Sequence, residues 1–441
     1  MDALIIQGGQ LLLSLSILIV LHELGHFLPA KYFKTRVEKF YLFFDPKFSL
    51  FKKKIGETEY GIGWLPLGGY VKISGMVDES MDTEQLKQPP QDWEFRSKPA
   101  WQRLIIMAGG VTVNVILGII IYIGIMYVWG DSRIPNAKIE NGVYAIDTLA
   151  TNMGIQNGDH IVRVDGEIVE DFNRLIPHML MTEAEEITVE RNGRYIDLNV
   201  PYHFNKTMIE RKMDSFVSIA FPFVIDSVFP DQNAALAGLQ SGDELIALNG
   251  QEMRIFEEYK NYFESHKGDS VNLTVLRNRV TENIDVKISD KGLIGVVNNV
   301  ADYFPLEHRS YSFLESIPAG ISKGYYSLWM MGMQLKLMFS PKTEGYKHAG
   351  GFIAIANVFD ISWNWQVFWS MTAMLSIMLA VMNLLPIPAL DGGHIMFLIY
   401  EIIVGKAVNQ KVLEMAQMVG VILLLGLVVV VNGNDIYKLF Q

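Results

Sequence analysis

The sequence predicts a polytopic α-helical membrane protein with four transmembrane helices, a mainly β segment between the second and third of them, and a membrane-associated β-hairpin. Three observations carry this prediction. Half of the 441 residues are apolar, more than a soluble protein needs for its cores. Four uncharged stretches approach or exceed the roughly 20 residues that a helix needs to cross a bilayer. The long segment between the second and third stretches contains an internal repeat with strand and turn signals.

The stretches run from Ala3 to Leu21, Leu104 to Gly130, Ile361 to Leu390 and Met415 to Asn434. A cleavable signal is the competing reading of the first, which lacks a basic leading region and a small-residue cleavage site. Short basic connections stay cytoplasmic. Lys31, Lys34, Arg36 and Lys39 follow the first span, Arg96, Lys98 and Arg103 precede the second, and Lys406 and Lys411 precede the fourth. Both connections are expected in the cytoplasm, with both termini and the segment from Asp131 to about Asp360 across the membrane.

A net charge of −11 argues against a nucleic-acid partner, which needs a concentrated basic surface. With no cysteine in the chain, a zinc site must be built from histidine and carboxylate.

In the outer segment Gly154-Ile-Gln-Asn-Gly-Asp-His-Ile-Val-Arg-Val-Asp-Gly-Glu167 returns as Gly238-Leu-Gln-Ser-Gly-Asp-Glu-Leu-Ile-Ala-Leu-Asn-Gly-Gln251, a spacing that suits two small domains. Each copy reads as a Gly-Asp turn, an alternating strand, and a tight Asp-Gly or Asn-Gly turn. Further strands fit Glu186 to Glu190 and Val271 to Leu276. The pattern resembles two circularly permuted PDZ domains of bacterial proteases, over residues 131–205 and 212–290. PDZ domains take a peptide as an added strand, and a spacer or size filter is the competing role.

His22-Glu-Leu-Gly-His26 continues the first span, and helical residues four apart share a face. Two imidazoles then point at one metal, and Glu23 can take the proton of a water there, as in H-E-x-x-H metalloproteases. A catalytic zinc site needs a third protein ligand. The stretch Asn383-Leu-Leu-Pro-Ile-Pro-Ala-Leu-Asp-Gly-Gly-His394 breaks the third span with two prolines and two glycines. Such irregularity is tolerated at membrane depth only around a protein-lined cavity. Asp391, the first carboxylate after the uncharged run, needs a cation beside it and is the expected third ligand. In the alternative, Asp391 only caps a helix beginning at Gly393 and His394 is the ligand.

These two motifs together resemble the site-2 protease family of intramembrane zinc metalloproteases, and the order of elements is similar to its bacterial regulator-of-sigma-E protease branch over almost the whole chain. The family's H-E-x-x-H matches His22, Glu23 and His26, and its N-x-x-P-x-P-x-L-D-G-G matches Asn383, Pro386, Pro388, Leu390, Asp391, Gly392 and Gly393. The resemblance implies Zn2+ held by His22, His26 and Asp391, Glu23 as general base, and Asn383 against the substrate backbone. It also implies a glycine-bearing hairpin near the active site that pairs with the extended substrate. Glu59 to Lys72 reads as that hairpin, with Gly61 and Gly63 as candidate substrate contacts; a plain surface hairpin is the competing reading. Tyr311 to Phe339 reads as an interfacial helix pair broken at Pro318. Where the family usually has Ser-Gly-Pro, this chain reads His348-Ala-Gly-Gly-Phe352.

The expected organisation is residues 1–130 with two spans, the zinc motif and the hairpin, two PDZ domains, an interfacial segment at 300–360, and residues 361–441 with two spans and the third ligand. The expected function is regulated intramembrane proteolysis in a bacterial inner membrane. Its substrates would be single-span membrane proteins, anti-sigma factors and remnant signal peptides, screened by the PDZ pair, with the active site near the cytoplasmic side. The rival is a membrane-anchored PDZ binding scaffold with a structural metal. A metal transporter is weaker, since no inverted repeat or repeated inward carboxylate is present.

Overall fold

The computed structural model describes residues 2–66, 68–76, 89–211, 216–300, 302–341, 343 and 350–438. The chain divides into two compact units, one from the described residues of Met1–Gly130, Ser310–Met338 and Tyr346–Gln441, the other mainly Asp131–Arg309.

The first unit opens with α1 (Asp2–Tyr32), which runs unbroken from the apolar stretch through the His22–His26 motif. Strands β1 (Val37–Leu42), β2 (Phe51–Ile55), β3 (Thr58–Ile62) and β4 (Tyr70–Ile73) follow and form a sheet in the order β2-β3-β1-β4. This corrects the expected hairpin over Glu59 to Lys72. β3 and β4 do not pair with each other, because β1 lies between them, parallel to β3 and antiparallel to β4. The hairpin is β2–β3, turning at Gly56 with φ +62°, and β4 is left as an edge strand. Helix α2 (Ala100–Val128) ends at Gly130, whose φ of +68° lets its N–H reach the Ile125 and Met126 carbonyls. α1 and α2 cross at glycine: a Cβ on Gly25 would lie 2.4 Å from the Gly109 oxygen.

The second unit begins with β5 (Asp131–Arg133), β6 (Val143–Ala145), α3 (Thr148–Asn152), β7 (His160–Val164), β8 (Glu167–Ile168), α4 (Leu175–Thr182), β9 (Glu186–Arg191), β10 (Arg194–Asn199), α5 (Phe204–Glu210) and β11 (Val217–Ile219). The sheet order β10-β9-β7-β8 is accompanied by the pair β6–β11. A second set follows, namely β12 (Phe223–Val228), α6 (Asn233–Ala237), β13 (Glu244–Leu248), β14 (Gln251–Glu252), α7 (Phe256–Ser265), β15 (Ser270–Arg277), β16 (Val280–Lys287) and β17 (Val296–Asn298), in the order β16-β15-β13-β12-β17. Strand β18 (Glu307–Arg309) returns to pair with β5. The division at 205 and 212 cuts through one pairing, since β11 binds back to β6; residues 212–215 lie outside the described residues.

The two copies of the repeat are locked alike. Arg191 forks onto buried Asp159 at 2.7 Å and onto the Gly154 carbonyl. Arg277 does the same to buried Asp243, at 2.7 and 2.6 Å, and to Gly238. Each aspartate also accepts from a backbone N–H three residues earlier, Gln156 or Gln240. Bidentate geometry of this kind fixes both partners.

The first unit resumes with α8 (Phe313–Phe339). It is one helix, not a pair broken at Pro318, because that proline sits near the N-terminal end where little backbone bonding is lost. Gly320 and Gly324 bring α8 close to Ile123 and Ile119 of α2, and Ser327 donates to Tyr122 at 3.0 Å. Helix α9 (Phe352–Ala356) is held by buried Asp435, which accepts from the Gly351 and Ala354 N–H groups. Of the departure at 348–352, His348 and Ala349 lie outside the described residues. Helices α10 (Trp365–Leu384), α11 (Asp391–Val404) and α12 (Gln410–Lys438) complete the unit. α11 begins at Asp391, two residues before the Gly393 start weighed in the alternative reading, and its 14 residues reach roughly 21 Å, short of a bilayer. Among the described residues, four helices are long and apolar enough to cross a membrane: α1, α2, α10 and the apolar part of α12.

Candidate active site

His22 and His26 sit one turn apart on α1, and Asp391 is the first residue of α11. Its side chain does not cap that helix; Leu390 is the N-cap residue. The carboxylate turns instead toward the two imidazoles. His22 Nε2 lies 3.3 Å from Asp391 Oδ2, His26 Nε2 lies 3.4 Å from the same oxygen, and the two Nε2 atoms are 3.3 Å apart. A tetrahedral zinc with bonds of about 2.0–2.1 Å spaces its ligand atoms by roughly 3.3 Å, so the triangle fits that ion on all three edges. Asp391 Oδ2 is buried without a hydrogen-bond donor, as expected of an oxygen kept for a cation.

The neighbours set the tautomers this geometry needs. His26 Nδ1–H donates to the Ile106 carbonyl at 2.9 Å, leaving the Nε2 lone pair for a metal. The Asn114 amide lies 3.1 Å from His22 Nδ1, while its Oδ1 is buried and unpartnered. Exchanging the near-identical amide atoms lets Oδ1 accept from Nδ1–H, which frees His22 Nε2 in the same way. Asn114 was missed in the sequence; the available signal was a lone amide within a charge-free span.

His22, Glu23, His26, Asp391 and His394 line one cavity of about 680 Å³. His394 stays outside the converging set. Gly392 and Gly393 permit the turn into α11, since side chains there would strike the Leu385 and Ile387 carbonyls. Gly420 of α12 packs against Pro388 in the same way. Asn383 comes to the cluster, with Nδ2 3.4 Å from His22 Nε2.

Gly61 and Gly63 do not line the cavity. A Cβ at Gly61 would lie 2.3 Å from the Tyr41 ring, and one at Gly63 would lie 2.1 Å from the Phe44 carbonyl oxygen, so both are packing glycines. Gly69 and β4 line the cavity on one side. The Tyr70 phenol on that side is pushed up from its ordinary value by burial and by the Asp45 carboxylate that accepts from it at 2.8 Å.

Peptidase family M50 matches residues 10–427, so the chain belongs to that family and is a zinc metalloprotease of the site-2 type. Within it, the chain is similar to the regulator of sigma E protease of Haemophilus influenzae, with 29% identity over 98% of both chains. It is also similar to zinc metalloprotease RasP of Geobacillus kaustophilus, with 28% identity over 96% of both. The PDZ domain of an SdrC-like protein from Listeria innocua matches 20% of this chain and 99% of its own, at 26% identity and a TM-score of 0.16.

Proposed function

We propose that this protease cuts single-span membrane proteins at or within the bilayer, with anti-sigma factors and remnant signal peptides as its substrate classes. The observation that carries this reading is the convergence of His22, His26 and Asp391 beside Glu23 in a cavity lined by the edge strand β4. His22, His26 and Asp391 would hold zinc, which would supply Lewis acidity toward a water and the scissile carbonyl. Glu23 accepts the proton at its carboxylate and returns it to the leaving amine nitrogen. A transmembrane helix hides its carbonyls, so the substrate must first be extended; β4, the edge strand of its sheet among the described residues, offers backbone groups to pair with it beside the Val71 N–H that Glu23 takes. This assigns to β4 the contact expected of Gly61 and Gly63. The Asn383 amide holds the substrate backbone beside His22.

The two larger sheets of the second unit are read as PDZ domains, the first running from 131 through β11 and the second from β12 through β17, past the expected end at 290 because β17 pairs with β12. They lie on the extracytoplasmic side of a bacterial inner membrane, opposite the basic connections, and screen substrates already shortened there. Purified protein should cleave a single-span substrate and lose that activity to a chelator. Glu23→Gln should keep its zinc yet slow hydrolysis by about 10²–10⁴-fold. Cleavage undiminished at equal zinc would overturn the role of Glu23. Replacing residues 131–290 by a linker should admit substrates with bulky outer domains; continued rejection of them by a folded variant would defeat the screening role.

A further inference from the structure

Lys39 of β1 and Lys72 of β4 stand directly across from each other and both line the cavity that holds His22, Glu23 and Asp391. Like charges in this position destabilise a sheet. Lys72 is relieved by Glu38 at 3.6 Å, whereas no carboxylate among the described residues forms an ion pair with Lys39. Its ammonium is held in another way, 5.4 Å from the centre of the Tyr41 ring and 5.9 Å from that of Tyr70, a cage of aromatic faces that favours a cation. The Tyr70 oxygen accepts from it at 3.4 Å while the hydroxyl donates to Asp45. Asp45 is committed elsewhere, since its second oxygen takes the Ser49 hydroxyl. An ammonium has three donors, so Lys39 keeps unfilled donors on a half-buried cation fixed in place.

We propose that Lys39, caged by Tyr41 and Tyr70, is a specificity-determining residue that takes a carboxylate side chain of the substrate segment beside the scissile bond. The assignment rests on the proteolytic reading above. Zinc ligation and proton transfer already occupy Asp391 and Glu23, so Lys39 is the cavity's uncommitted charge, and an aspartate or glutamate of the substrate complements it. Tyr41 and Tyr70 hold the cation before the substrate arrives, so little ordering remains to be done on binding.

The test uses the full zinc-loaded chain in neutral detergent and one single-span substrate carrying Glu or Gln at successive positions on either side of the cut. Wild type should prefer Glu at one position by about tenfold in kcat/KM, the size of a charge-assisted hydrogen bond. In Lys39→Gln the Glu-to-Gln ratio at that position should fall to about one, and Lys39→Glu should favour a substrate with Lys there. Thermal unfolding and zinc content establish that each variant is folded. Equal cleavage of every substrate by wild type, or a ratio unchanged in Lys39→Gln, would overturn the assignment. A preference that emerges only when anionic lipid is added would give the site to a headgroup phosphate and overturn it too. Failure of the zinc-loaded wild type to cut any member would instead remove the proteolytic reading itself.

Discussion

Gly25, between the two histidines of the zinc motif, allows a quantitative test of how closely the site depends on helix contact. In Gly25→Ala the new Cβ would lie 2.4 Å from the Gly109 oxygen, 2.7 Å from its carbonyl carbon and 2.8 Å from Gly110 Cα, where ordinary contact begins at 3.4 Å. All three atoms are backbone, so no flexible side chain can give way, and α1 and α2 must part by roughly 1 Å at that level. Asp391 belongs to α11, which packs on α2, so the movement carries both imidazoles away from the carboxylate and opens a triangle now matched to zinc. A displacement of about 1 Å costs about 10²-fold in rate, or about 2.7 kcal/mol of barrier. Zinc content and kcat/KM on a single-span substrate should both fall. Gly124→Ala in α2, where a Cβ meets nothing within 4 Å, should behave as wild type. Full zinc and activity within a few-fold in Gly25→Ala would refute the claim that this crossing sets the ligand geometry.

Asp391→Ala should lose zinc, whereas His394→Ala should retain it, because only the former removes a converging ligand atom; metal analysis of both decides, and the reverse ranking would move the third ligand to His394. Asp243→Ala removes the carboxylate shared by the Arg277 guanidinium and the Gln240 N–H while Glu282 stays paired to Arg277, and should destabilise the second sheet by about 1–3 kcal/mol. Hydrogen exchange at β13 and β15 reads that loss directly, and unchanged protection would show that the pair contributes nothing there.

What the sequence disclosed and what it concealed divide along the range of the interactions. The spans, the repeat and the His22–His26 pair depend on neighbours within a turn or two, so periodicity and spacing reveal them. The insertion of β1 between β3 and β4 depends on pairing between distant segments, and Glu59 to Lys72 alone looks like a simple hairpin. The boundary between α10 and α11 was blurred because the apolar run continues through the Pro-rich break, so composition carried the third span on to Leu390 although α10 stops at Leu384. The return of β11 to β6 has the same origin, since three short residues carry no local mark of their partner. At the site, His22, His26 and Asp391 announced themselves as ionisable groups against apolar sequence. Asn114 and Gly109 act by touching other helices, and nothing along the chain states which helix will be there.

The cluster whose spacing fits zinc draws its imidazoles from the first helix and its carboxylate from the next to last, with nearly the whole chain between them. During synthesis the histidines therefore enter the membrane long before Asp391 exists. A chain interrupted anywhere before α11 carries two of the three converging groups, so on the proposed ligand set a truncated product has no completed centre with which to cut its neighbours. The order of the ligands along the sequence delays the hydrolytic centre until the helices that enclose it are almost all in place.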